Sequence, residues 1–151
     1  MMRLTSVILA LALTVGTGCA TRSELPVERP EVRIAQASTS AFVQEQGGTF
    51  AVDYLLQIEN KADIPIVAER LELQTAAAGP YAIRQTTTNF EHEIPAGGTK
   101  VIELTVWAYS YGGQTAALEP VTLKVNVRFD SARGSFHVQE IARVLQKGAI
   151  Y

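Results

Sequence analysis

Apolar and polar positions alternate with a period of two along most of this chain. The clearest run is Phe50, Val52, Tyr54, Leu56 and Ile58, five apolar side chains on one side of a single segment. Thr49, Ala51, Asp53, Gln57 and Glu59 point the other way, and Leu55 is the one large exception. A helix would scatter these residues around its circumference, so the pattern predicts a half-buried strand. Ile102, Leu104, Val106 and Ala108 repeat it, as do Val121, Leu123, Val125, Val127 and Phe129. Val32 and Ile34 start a first strand, Ile66 to Thr75 carries Leu71 and Leu73, and Phe136 and Val138 begin a last one. Tyr81 and Ile83 give a weaker signal.

Turn chemistry separates these segments, at Gln46-Gly47-Gly48, Asn60 to Asp63, Gly79-Pro80, Pro95 to Gly98, Tyr111-Gly112-Gly113 and Asp130 to Gly134. About seven strands at such spacing, with no long amphipathic helix, predict an all-β antiparallel sandwich. From Gln139 to Gln146, Ile141, Ala142 and Leu145 fit either a short helix or an irregular strand end.

The N-terminus follows different rules. Arg3 precedes the apolar stretch Leu4 to Val15, which has signal-peptide length and is too short for a permanent span of about 20 residues. Gly16-Thr17-Gly18 then leads into Cys19-Ala20, which resembles a bacterial lipobox, although Gly16 stands where an aliphatic residue is usual. Cys19 is the only cysteine, so no disulfide within the chain can use it. The reading is a signal peptide over 1–18, a lipidated tether over 19–29 and one domain over 30–148. Acyl chains on Cys19, palmitate among them, would hold the protein at a bilayer through dozens of methylenes at about 0.8 kcal/mol each. Ala20, rather than Asp, resembles lipoproteins sorted to the outer membrane, which puts the domain in the periplasm. The polar stretch Ala20 to Pro30, with two prolines, reads as a tether without a fixed fold.

Composition narrows the function classes. A chain of 151 residues, 47% hydrophobic and 19% charged, has the makeup of one globular domain and not of a disordered segment. Its net charge is −2, and loss of Arg3 with the signal makes it one unit more negative. No Lys/Arg run exists, so nucleic-acid binding is not expected.

Candidate chemistry is sparse. His92 sits between Glu91 and Glu93 in a short strand, on the face opposite both, and would need His137 and Glu140 from elsewhere to hold a metal; the spacing matches no zinc pattern. No Gly-x-Ser-x-Gly and no phosphate loop occur; Gly97-Gly98 and Gly112-Gly113 lack the following Lys-Ser/Thr. Glu69 and Glu72 fit a solvated strand edge. The expectation is a protein that is not an enzyme and has no cofactor; a hydrolase would need a deep pocket with convergent polar groups. If Ile102, Leu104 and Val106 face the core, then Trp107, Tyr109 and Tyr111 share the opposite face. They form either a docking stripe or a face covered by a loop or the C-terminal segment, or the face switches at Ala108. Residue pattern alone favours the covered accounts.

The run Val52 to Leu73, VDYLLQIENKADIPIVAERLEL, resembles the late-embryogenesis-abundant type 2 family, the water-stress and hypersensitive-response domain. That family shows an alternating strand, an Asn-Pro-Asn or a close variant, and a return strand ending in Leu-x-Leu; here Lys61 stands where Pro is frequent. Ile94 to Thr99 leading into Val101 to Val106, and Pro30 to Ile34, extend the likeness to about Pro30–Val144. The resemblance implies an immunoglobulin- or fibronectin-III-like sandwich, stress protection, frequent lipid anchoring in bacteria and no catalytic residues. Two further expectations stand beside it, an envelope protein partner and an accessory or assembly role using the sandwich edge.

Overall fold

In the computed structural model, which describes residues 27–39, 48–110 and 120–145, the five alternating residues of β2 (Gly48–Glu59) all lie in the core. Phe50 is 3% exposed and Val52, Tyr54, Leu56 and Ile58 are fully buried. Each such burial contributes roughly 2 kcal/mol, enough to fix which face of the strand turns inward. β5 (Thr99–Ser110) buries Ile102, Leu104, Val106 and Ala108, and β6 (Val121–Ser131) buries Val121 through Phe129 at alternate positions.

The remaining strands are β1 (Glu31–Thr39), β3 (Ile66–Thr75), β4 (Thr86–Ile94) and β7 (Phe136–Val144). All pairings are antiparallel, in a three-stranded sheet β1-β2-β5 and a four-stranded sheet β4-β3-β6-β7. The sheets stack with β1 beside β7 on one flank and β5 beside β4 on the other. β2 and β5 pair from Gly48↔Ser110 to Glu59↔Thr99 without a register shift.

Two irregularities re-aim side chains. A register shift between Ala68 and Arg70 sets Glu69 outside the strict alternation, so Ile66 and Ala68 before it and Leu71 and Leu73 after it all reach the core. A second shift lies between Gln36 and Ser38 of β1.

The fourth strand is not where Tyr81 and Ile83 suggest. Both are core residues, 1% and 2% exposed, but they sit in the β3–β4 connection with only an isolated bridge at Ala82. β4 begins five residues after Tyr81, and its inward side chains Thr86, Thr88, Phe90 and His92 are only half-buried. A strand whose inner face is half polar leaves little hydrophobic periodicity to read. Gln139 to Val144 is strand, with Val144 buried and Ile141 exposed.

The last tether residues are docked. Val27 packs against the core, Pro30 is buried, and Arg29 Nη2 donates to Gln139 O and Glu140 Oε1, both at 2.7 Å. The reading of Ala20–Pro30 as free of a fixed fold therefore stops short of these residues. Cys19 and the segment 1–18, expected to be a signal peptide, lie outside the described residues.

Candidate functional site

The largest polar commitments inside the sandwich are structural. Asn60, fully buried, donates through Nδ2 to the carbonyls of Ile64 at 2.8 Å, Ile94 at 3.1 Å and Pro95 at 3.0 Å. Its Oδ1 accepts from Ala62 N at 3.0 Å, and its own N–H donates to Gly98 O at 2.8 Å. One side chain thus closes the β2–β3 turn and ties it to the β4–β5 corner. Gly97 adopts φ 66° in that corner, and a Cβ on Gly98 would meet Pro95 Cγ at 2.7 Å. Beside it, Lys61 forms ion pairs with Glu59 and Glu31. A hydrogen bond from Arg33 holds the Glu31 carboxyl below its usual value, with Lys61 adding to the effect.

At the other end, Tyr81 hangs from the β3–β4 connection into the core. Its hydroxyl donates to Gln36 Oε1 at 2.8 Å and lies 2.5 Å from the Tyr54 hydroxyl. Tyr81 has one proton and gives it to Gln36, so Tyr54 is the donor between the two phenols. Burial pushes the Tyr81 phenol up to about 12, the Tyr54 hydrogen bond opposing. Burial, then Tyr81, raises Tyr54 well above its ordinary value. Phe50 packs edge-on against Tyr81 at 5.6 Å.

This anchoring fixes Ala82, which follows Tyr81. Ala82 and Tyr109 exchange both backbone hydrogen bonds at 2.8 Å, in antiparallel sense. The connection thereby pairs with the end of β5 on the side away from β2.

On the outer face of the three-stranded sheet, Trp107 is 67% exposed, Tyr109 43% and Val101 53%. Ala108 between the aromatics is buried, so the face does not switch there, and Trp107 stays open to solvent. The expectation of a covered stripe fails for Trp107, whose neighbour on β2 is Ala51, too small to shield a ring; Tyr109 stands beside Thr49 and is partly shielded. Tyr111 lies outside the described residues. Further along the same face, Thr105 Oγ1 donates to Asp53 Oδ1 at 2.7 Å and Glu103 stands exposed, with Ala37 and Leu55 completing a shallow hollow.

The residues weighed for chemistry do not converge. His92 stacks on Phe90 at 5.5 Å on β4, while His137 is exposed opposite Arg128 on β7. β4 and β7 are the two outer strands of the four-stranded sheet, about 14 Å apart from three interstrand spacings. Glu69 pairs with Arg128 at 3.0 Å and Glu72 with Arg70 at 2.8 Å. Among the described residues no three His, Cys, Asp or Glu side chains gather to hold a metal.

Strand order and packing define an immunoglobulin- or fibronectin-III-like β-sandwich, with an exposed aromatic pair on an outer strand. The chain is similar in fold to the X-ray structure of a structural-genomics target, SoR45, at TM-score 0.53 and 12% identity over 82% of this chain and 89% of that one. It also aligns with a crystal structure of a protein from Archaeoglobus fulgidus, at TM-score 0.47 and 6% identity over 80% of this chain and 98% of that one. The putative ApaA protein of Bordetella pertussis aligns at TM-score 0.43 and 13% identity, over 80% and 96% of the respective chains. No family model and no curated protein matches the sequence.

Proposed function

We propose that this chain is a non-enzymatic, lipid-anchored protein of the bacterial envelope whose sandwich binds and stabilises an envelope partner. The observation that carries the binding reading is the outward pair Trp107 and Tyr109. Trp107, 67% exposed, gives the larger share of this aromatic surface, and an exposed indole favours association. The anchor rests on the lipobox-like Gly18-Cys19-Ala20, and the outer-membrane, periplasm-facing location rests on Ala20. The resemblance to the late-embryogenesis-abundant type 2 family supports a stress-protective role.

A second reading, an accessory or assembly subunit that pairs through a sheet edge, is favoured by the side of β5 that, among the described residues, meets only Ala82.

Two measurements test these readings. Cys19→Ser should abolish palmitate labelling and leave the precursor uncleaved or poorly processed; labelling that persists overturns the anchor. A photo-crosslinking residue at position 107 should capture an envelope protein in cells, whereas one at 137, on the other sheet, should not. Equal yields from both positions overturn the binding surface.

A further inference from the structure

Among the described residues three strands face four, and the fourth position opposite β4 lies beside β5. On the four-stranded side, Thr86, Thr88, Phe90 and His92 of β4 turn toward the opposing sheet yet stay half-buried, whereas Ile94 at its end and the inward residues of β3 are 0–1% exposed. No described strand covers that part of β4. The uncovered strip flanks the free side of β5, since β5 and β4 share one flank of the sandwich.

The free side of β5 offers backbone groups for such a strand. Tyr109 turns its N–H and C=O away from β2, toward Ala82. Backbone groups alternate direction along a strand, and the β2–β5 ladder has no shift, so Val101, Glu103, Thr105 and Trp107 turn theirs the same way. Among the described residues, no backbone partner meets these four. The open stretch is bounded by Ala82 at one end and by the Pro95–Gly98 corner at the other.

We propose that this vacancy takes one extended segment of another protein, antiparallel to β5, which pairs with Val101–Trp107 and completes a four-on-four sandwich over Phe90 and His92. The side chains on β5 state the chemistry of that segment. Its outward face meets Trp107, Thr105, Glu103 and Val101 in order, so it carries a basic residue opposite Glu103, where Asp53 adds a second carboxylate nearby. Its inward face is apolar, against Phe90. A second copy of β5 fits less well, because a two-fold antiparallel pairing centred near Leu104 sets the two Glu103 carboxylates on neighbouring strands, and Val101–Trp107 carries no basic residue to meet either. The antiparallel sense follows Ala82, which already pairs that way. This inference rests on the binding reading above and names its mode.

Trp107 is the only tryptophan, so its fluorescence reports the edge directly. The full lipidated chain in detergent micelles is titrated with the capped peptide Gly-Thr-Val-Thr-Val-Lys-Val-Thr-Gly. Binding should slow deuterium exchange at the amides of Val101, Glu103, Thr105 and Trp107. Glu in place of the peptide's Lys should weaken binding about fivefold, and Pro in place of its second Thr, which removes a donor to β5, about tenfold. Glu103→Lys should reverse the preference between the Lys and Glu peptides. Equal binding of all three peptides, or unchanged exchange on β5, overturns strand addition. So do amides already protected in the free chain, which would mean that the chain fills its own vacancy, and a concentration-dependent dimer that protects them. Crosslinking from position 107 reads the binding reading separately, so a captured partner with no protection on β5 removes this mode and leaves that reading standing.

Discussion

The Tyr54 hydroxyl donates to the Tyr81 hydroxyl at 2.5 Å, joining the middle of β2 to a connection that has no strand of its own. Tyr81 then reaches Gln36 of β1 at 2.8 Å, and the next residue, Ala82, bridges to Tyr109. Three strands of one sheet are thus tied to one connection. Tyr81→Phe removes the shared hydroxyl and leaves Gln36 Oε1 and the Tyr54 proton buried without partners. The expected loss is about 2 kcal/mol of unfolding free energy in urea denaturation. A change within experimental error would mean that the phenol chain contributes nothing net.

The same pair sets a limit at alkaline pH. With the Tyr81 phenol near 12 in the fold against 10.0 unfolded, the unfolded chain loses its proton first as pH rises. Stability from this group is complete below pH 10 and is lost as pH climbs toward 12; Tyr54, also raised, acts in the same direction. Urea midpoints compared at pH 9 and pH 11 should fall more for the parent chain than for Tyr81→Phe. Parallel falls would count against the linkage.

Asn60 supplies a different test. Asn60→Ala strips the donor from three carbonyls, with an expected cost of about 3 kcal/mol. Asn60→Asp should be worse at neutral pH, because a carboxylate would face the oxygens of Ile64, Ile94 and Pro95. Those oxygens raise the folded-state value of the new carboxyl, so stability returns as pH falls toward the ordinary aspartate value of about 4. Thermal melts of both variants at pH 7 and pH 4.5 decide it; an Asp variant that does not gain on Ala at the lower pH contradicts the geometry.

Trp107 and its neighbour Val106 separate binding from folding. Trp107→Ala removes a ring that is 67% exposed and should change unfolding free energy by no more than about 0.5 kcal/mol. Val106→Ala, at 2% exposure, should cost about 2 kcal/mol. Partner capture should drop for Trp107→Ala alone, once stability is matched by circular dichroism.

Alternation made β2, β5 and β6 legible, because a strand with one buried face must repeat its apolar residues every second position. Phe50 to Ile58 shows this in full. β4 was legible only as a short strand around His92, because its inward face holds Thr86, Thr88 and His92 with only Phe90 and Ile94 apolar. Tyr81 and Ile83 misled for the opposite reason, being core residues on an irregular connection. The aromatic stripe was visible as a pattern, but its exposure depends on Ala51 and Thr49, which only the β2–β5 register brings alongside.

By itself the sequence determined that the domain is built of strands, which side of its strongest strands is buried, and where most turns fall. These are consequences of neighbours two residues apart. Tertiary structure alone decided which strands share a sheet, that Asn60 locks two distant turns, and that, among the described residues, three strands oppose four and β5 meets only Ala82 on its outer side. Those outcomes join residues well beyond each other's local neighbourhood, such as Asn60 with Ile94, and no local period encodes such a pairing.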